Sequence, residues 1–307
     1  MSDQWRGRSE RGSRGAIRLI IWLALRTGRS FCRILLVPIC AYFFVTAPLQ
    51  RKASREFLDR ALGHRATARD VFRNLFVFST TLLDRVYLMH GRHQELTIDV
   101  INDAALWNAL AAGRGCLLLG SHLGSFEMLA IVGSTQKNLV INMVMHVDKG
   151  AHLSGLIQSE PSALPYRIIP LGQAGSMLRV KECLDRGEVV GILADRVYAN
   201  EKTQSLPFLG HPAFFSSSPL RLAKIIGAPV VTVFGLFRGG RRYEVVFESL
   251  AGCVIAADPG DVPGAAQFAS LSAVSLPACL TAYVQNLERQ ARRCPYNWFN
   301  FYSYWST

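Results

Sequence analysis

Apolar and amphipathic stretches alternate through the second half of the chain. The apolar run Cys116–Leu119 is entered through Gly113 and Gly115, a pattern typical of a fully buried strand. Strands are predicted over 115–120, 138–145, 166–169 and 189–194, and helices over 124–134, 149–158 and 173–186. A hairpin over 229–236 and 242–248 and a last helix over 264–292 complete the pattern. This alternation predicts an α/β fold with a mostly parallel central sheet flanked by helices.

Residues 53–112 have a helical pattern. Within them, the stretch Asp70–His90 carries apolar residues at intervals of three and four: Val71, Leu75, Phe78, Leu82, Val86 and Met89. Such a stripe favours one long amphipathic helix that covers a face of the sheet.

The most apolar residues lie near the N-terminus, over 16–25 and 34–45, with arginines before, between and after them. Neither run has the roughly 20 apolar residues of an ordinary membrane-spanning helix. We expect a retained pair of membrane-associated helices at anionic lipid, although two core helices fit the same pattern. The predicted organisation is a basic anchoring segment, 1–50, and a catalytic domain, 51–307.

The chain has 34 Lys and Arg against 22 Asp and Glu, a formal net charge of +12. An anionic partner is therefore expected. No nucleic-acid-binding motif is recognisable, so anionic membrane lipid or an acidic protein is favoured over nucleic acid. The seven cysteines show no C-x-x-C spacing, which favours a reduced cytoplasmic protein without structural zinc.

The segment Gly120–Leu129 is predicted to form the end of a strand, a turn and the start of a helix, which is where open α/β sheets carry catalytic side chains. His122 follows a predicted buried strand, and Glu127 is expected in the first turn of the next helix. A carboxylate on one imidazole nitrogen fixes the tautomer and stabilises the imidazolium, so that the other nitrogen can take a proton from an alcohol. We assign Glu127 to that orienting role; a helix-cap pair or two unrelated surface groups remain the alternative.

A second strand ends in Asp195 and Arg196, which a parallel sheet places on the same edge as His122. The guanidinium of Arg196 suits a phosphate or a polarised carbonyl, whereas a local salt bridge with Asp195 is the simpler alternative. The loop Pro207–Ala213 either walls a substrate groove or only connects two elements. Besides Arg196, the candidates for substrate contact are Asp195, Ser121, His146, Phe208 and Gly210.

In order and spacing, these segments resemble the bacterial late acyltransferases of lipid A biosynthesis, the lauroyl and myristoyl transferases of the lysophospholipid acyltransferase superfamily. The resemblance rests on His122-x4-Glu127, Asp195-Arg196, Phe208-x-Gly210-x-x-Ala213, Ser218-Pro219 and Gly227–Val231. It implies that His122 is the base and Glu127 orients it. It also implies an acyl donor that is acyl carrier protein or coenzyme A thioester, and a lipid acceptor. No cofactor is expected, and the arginines that flank the apolar runs favour the cytoplasmic face of the inner membrane.

Two segments depart from that family pattern: Met145–Lys149 replaces an Arg-Pro-x-x-Asn-type segment, and Ser218-Pro219 replaces Gly-Pro. The aromatic run 295–305 resembles a subgroup found with aryl polyene pathways; it suits a lipid headgroup layer or a tail packed on the core. We therefore expect a membrane-associated O-acyltransferase that acts on a hydroxyl of a lipid or glycolipid. The alternatives are a lysophospholipid or ornithine-lipid acyltransferase, a thioesterase-like hydrolase, and an inactive lipid-binding protein.

Overall fold

A computed structural model describes residues 14–111, 113–135, 139–146, 166–198, 201–250 and 275–305. The helices are α1 Arg14–Thr27, α2 Arg29–Thr46, α3 Pro48–Leu62, α4 Ala68–Met89, α5 Ala104–Leu110, α6 Met128–Thr135, α7 Ser176–Asp185, α8 Ser218–Ile226 and α9 Leu276–Arg293. The strands are β1 Thr97–Ile101, β2 Cys116–Gly120, β3 Ile141–His146, β4 Tyr166–Leu171, β5 Val189–Leu193, β6 Thr203–Phe208, β7 His211–Ser216, β8 Val230–Gly239 and β9 Arg242–Ser249.

Seven strands form one sheet in the order β1-β9-β8-β2-β5-β3-β4. Strands β8, β2, β5, β3 and β4 are mutually parallel, and β9 is antiparallel to β8. The predicted mostly parallel α/β sheet is therefore confirmed, including the hairpin of β8 and β9. The carboxyl ends of β2 and β5, which are neighbours, lie side by side.

Helices cover both faces of this sheet, and β2 shows why. Successive side chains of a strand point to opposite faces. Leu117 and Leu119 enter a core that includes residues of α3, α7, α8 and α9. Cys116 and Leu118 enter a second core with residues of α4, α5 and α6. A fully apolar strand is required because both of its faces are covered.

Helix α4 confirms the long amphipathic helix predicted over Asp70–His90. It begins with a capping box, in which Thr67 Oγ1 accepts from the backbone N–H of Asp70 and the Asp70 carboxylate accepts from the backbone N–H of Thr67. Its inner face packs on α2 and on the sheet.

Helix α2 has two different faces. One stripe, formed by Arg29, Cys32, Leu36 and Cys40, is buried against the rest of the protein. The Arg29 guanidinium makes a two-point ion pair with Asp84 of α4, with 2.7 Å between Arg29 Nη2 and Asp84 Oδ2. The opposite face leaves large apolar side chains exposed, and of the described helices α2 is long and apolar enough to cross a membrane.

Some elements differ from the sequence prediction. Strand β1 lies within the stretch predicted to be helical, because it pairs in parallel with β9, an interaction that local pattern does not show. The loop Pro207–Ala213 is part of the hairpin of β6 and β7. The helix predicted over 149–158 and the first part of that predicted over 264–292 lie outside the described residues. Cys279 takes part in a disulfide bond, which differs from the expectation of reduced cysteines.

Candidate active site

The turn after β2 folds back over the sheet because two glycines leave room for an aromatic ring. Phe126 packs against Gly120 of β2 and Gly191 of β5. A Cβ atom at either glycine would lie 2.4 or 2.5 Å from the ring. Any larger residue at these positions would push the ring, and with it the turn 121–127, away from the strands.

A second close approach fixes the other end of this turn on β8. The backbone N–H of Ser125 donates to the carbonyl of Gly235 at 2.7 Å. Gly124 has a φ of +83°, and a Cβ at this position would lie 2.1 Å from the Gly235 oxygen. Two glycines therefore allow direct backbone contact between the turn and the strand, and His122 is presented at the carboxyl end of β2.

The Nδ1 atom of His122 lies 2.9 Å from Oδ1 of Asp195. A carboxylate oxygen only accepts hydrogen bonds, so Nδ1 carries the proton and Nε2 keeps a lone pair. The backbone N–H of His122 donates to Oδ2 of the same carboxylate at 3.1 Å. The His122 side chain is 23% exposed while that of Asp195 is fully buried.

Asp195 is held from several directions. Its Oδ2 also accepts from the Asn300 side-chain amide at 2.7 Å, and its backbone carbonyl accepts from the Tyr304 hydroxyl at 2.6 Å. Burial disfavours the charged carboxylate, but the charge and hydrogen bond of His122, the charge of Arg196 and the Asn300 bond outweigh it and lower the pKa of Asp195 to about 2. Asp195 is therefore ionised at neutral pH.

His122 is neutral at the same pH. Burial, followed by the positive charge of Arg196, lowers its pKa below the usual 6.5, against the opposing effects of Asp195 and Glu127. A neutral imidazole with a fixed tautomer is the state that a general base requires.

If Nε2 of His122 is the base, acyl-transfer activity should disappear at acidic pH. The lowered pKa of His122 places the loss below about pH 6.5, as the imidazole becomes protonated with falling pH. The measurement is kcat/KM against pH for acyl transfer. An acid limb centred above pH 7 would show that another group controls the reaction.

Glu127 lies just before α6 rather than in its first turn. The predicted orienting contact between its carboxylate and the His122 ring is not among the contacts of the described residues. One oxygen pairs with Arg85 of α4 at 3.0 Å, and the other accepts from the Ser125 hydroxyl at 2.9 Å. The carboxylate on Nδ1 of His122 belongs to Asp195. The physical reason is the adjacency of β2 and β5, which brings position 195 beside the turn 121–127.

Arg196 contacts two residues of the aromatic run 295–305. Its Nε donates to the side-chain oxygen of Asn300 at 2.8 Å, and its guanidinium carbon lies 5.9 Å from the centre of the Tyr302 ring. Among the described residues Arg196 does not form a direct ion pair with Asp195, although its positive charge contributes to the lowered pKa of Asp195.

The C-terminal aromatic run is the part of the site that sequence reasoning missed. The Trp298 side chain is buried and stacks on Phe57 of α3, with ring centres 4.8 Å apart. The backbone N–H of Phe299 donates to the His122 carbonyl at 2.9 Å. Of the two interpretations of this run, the structure shows the tail packed on the core. The signal available was the two asparagines within an otherwise apolar run.

The other residues predicted to contact substrate lie in different parts of the fold. Ser121 is buried and its hydroxyl accepts from the backbone N–H of Leu123. His146 ends β3, which is separated from β2 by β5. Phe208 is fully buried among aromatic rings that include Trp298 and Trp305. Gly210, at φ +80°, forms with Leu209 the two-residue turn between β6 and β7, a turn of positive φ at both positions.

Comparison with protein families gives a match over most of the chain. The family model described as bacterial lipid A biosynthesis acyltransferase matches residues 14–270. This range contains α2, the turn 121–127 and the end of β5, and it stops before the C-terminal aromatic run. The comparison with curated proteins gives no match.

Proposed function

Because the chain belongs to the bacterial lipid A biosynthesis acyltransferase family and is therefore an acyltransferase that acts on a lipid acceptor, we propose that His122 is the general base of the transfer. The observation that carries this proposal is the bond between His122 Nδ1 and the buried Asp195 carboxylate, which leaves Nε2 as a base at the carboxyl end of β2.

In the proposed reaction, Nε2 takes the proton of an acceptor hydroxyl as its oxygen attacks the carbonyl carbon of an acyl thioester. The new C–O bond forms, the C–S bond breaks, and the proton on Nε2 passes to the departing thiolate. The products are an ester and a free thiol. Asp195 stabilises the imidazolium that exists between the two proton transfers.

Glu127 is proposed as a second catalytic carboxylate that acts at a distance. Its charge favours the protonated form of His122. Its contacts with Arg85 and Ser125 also hold the turn 121–127, which we call the catalytic turn in this proposal, against α4. Arg196 is proposed to bind an anionic group of a substrate or the carbonyl oxygen as it becomes negative. Four further residues are still proposed to shape substrate binding, as the sequence predicted: Ser121, His146, Phe208 and Gly210.

The proposed donor is an acyl carrier protein, with coenzyme A thioester as the alternative. Acyl carrier proteins are acidic, and a chain with a formal charge of +12 has the complementary sign. The proposed acceptor is a hydroxyl of a lipid or glycolipid, and the aryl polyene subgroup remains a prediction about its identity.

We further propose that the N-terminal helices lie at the cytoplasmic face of the inner membrane. Apolar side chains on their outer faces are exposed, among them Ile34 at 68% and Val45 at 71%. Arg51, Lys52 and Arg55 follow directly and suit anionic headgroups. The division into residues 1–50 and 51–307 remains the proposed organisation.

Mass spectrometry of the products that the purified protein forms tests the proposal. With an acyl thioester and a bacterial lipid extract as acceptor, a transferase should produce acylated lipid and free thiol in equal amounts. The assay is run with acyl carrier protein and with coenzyme A thioester, and lipids of a deletion strain identify the acceptor. Free fatty acid with no dependence on acceptor would identify a hydrolase instead, and no product with either donor would contradict transferase activity.

A further inference from the structure

The side chain of Asn300 connects the two charged groups at the end of β5. Its oxygen accepts from Arg196 Nε at 2.8 Å, and its nitrogen donates to Asp195 Oδ2 at 2.7 Å. A primary amide carries both an acceptor and donors, so this side chain can satisfy a cation on one side and an anion on the other. The charges of its neighbours fix which way the amide points.

Without such a bridge, the two charges would be expected to meet. Asp195 and Arg196 are consecutive, and Asp195 is buried, where attraction between opposite charges is stronger than in water. A direct ion pair would draw the carboxylate toward the guanidinium. Oδ1 of Asp195 would then be shared with Arg196, and the 2.9 Å bond to His122 Nδ1 would be weakened or lost.

The backbone places Asn300 there firmly. Trp298 forms an antiparallel bridge with Leu123, and the N–H of Phe299 donates to the carbonyl of His122. The segment that carries Asn300 is thus bonded to the catalytic turn itself. Asn300 is 1% exposed, and it lies beyond the residues that the family model matches.

We propose that Asn300 is a positioning residue that keeps the Arg196 guanidinium apart from the Asp195 carboxylate, so that Asp195 remains bonded to His122. The proposal rests on the proposed function, since it assigns Asn300 to the preparation of that base. Asn300 touches no reacting atom; it acts through Asp195 and Arg196.

The test uses the full-length protein in detergent and follows His122 directly. In wild type, the Nδ1 proton of His122 should give a downfield NMR resonance, identified by its absence in His122→Gln. In Asn300→Leu, Arg196 should pair with Asp195, so this resonance should disappear and the measured pKa of His122 should fall. The kcat should drop about 10- to 100-fold, as expected for a misplaced catalytic group, with a smaller change in KM.

Two further variants separate positioning from packing. Asn300→Leu/Arg196→Met removes the competing cation, so the His122 resonance should return even though activity does not. Asn300→Ala is smaller than Asn300→Leu and also lacks the bridging amide, so Arg196 should pair with Asp195 and the resonance should disappear. Retention of the resonance in folded Asn300→Ala would overturn the proposal, and this holds even if Asn300→Leu does not fold.

The matched control is Asn286→Leu. Asn286 is also buried, accepts from an arginine, Arg289, and donates to a neutral partner, Thr232. The Asn286→Leu variant should leave the His122 resonance unchanged. If Asn300→Leu behaves like this control, Asn300 only packs, and the proposal is wrong while the role of His122 stands. If His122→Gln itself retains activity, the proposed function fails instead.

Discussion

His122→Ala should reduce the rate of acyl transfer by about 10²- to 10⁴-fold, the range expected when a general base is lost. The protein should remain folded, because the His122 side chain is part of no apolar core and its backbone bonds to Asp195 and Phe299 are retained. The measurement is single-turnover transfer from the acyl thioester, with unfolding followed by circular dichroism. Near-normal single-turnover rates would exclude His122 as the base.

Two carboxylate variants belong to the same prediction and rank the partners of His122. Asp195→Asn replaces the acceptor on Nδ1 with an amide and should cost roughly 10³- to 10⁴-fold, because it no longer enforces the required tautomer. Glu127→Gln keeps the size of a side chain whose oxygens contact Arg85 and Ser125, so its loss should be smaller. The reverse order would return the orienting role to Glu127.

The second large effect concerns stability. Arg29→Met should lower the free energy of unfolding by about 3–5 kcal/mol, because it leaves the Asp84 carboxylate buried without its cation. Arg29 and Asp84 are both almost completely buried, and Asp84 also accepts from the Tyr243 hydroxyl at 2.6 Å. Denaturant unfolding in detergent measures the change.

Matched variants identify the cause. Arg29→Met/Asp84→Leu removes both charges and should recover part of the loss, as apolar replacements of buried ion pairs do. Lys181→Met removes the exposed pair with Asp185 and should cost only about 0.3–0.5 kcal/mol. If Arg29→Met costs no more than Lys181→Met, the buried pair does not hold α2 to α4.

This ion pair also affects how the N-terminal helices relate to the active site. Asp84 and Arg85 are neighbours on α4; Asp84 binds α2, and Arg85 binds Glu127. The exposed apolar face of α2 is therefore held in a fixed position relative to the turn 121–127. Removal of residues 1–50 would leave Asp84 without Arg29, so loss of membrane attachment and loss of stability are expected together.

The sequence by itself determined the elements whose signal is local. Apolar runs gave β2, β5, β8 and β9, and the periodicity of α4 appeared in the spacing of its apolar residues. The alternation of strands and helices predicted the mostly parallel sheet, and the turn between His122 and Glu127 was predicted at the end of β2. These features depend on side-chain period and local turns, which neighbouring residues specify.

Only the tertiary structure decided which groups contact His122. Strand order places Asp195 beside it, 73 positions away in the chain, while Arg85 takes the carboxylate of Glu127. The pairing of β1 with β9 and the bond between Asn300 and Asp195 likewise join distant segments. The physical reason is that a hydrogen bond or ion pair depends on distances of about 3 Å in space, and sequence spacing fixes such distances only within a turn or a helix.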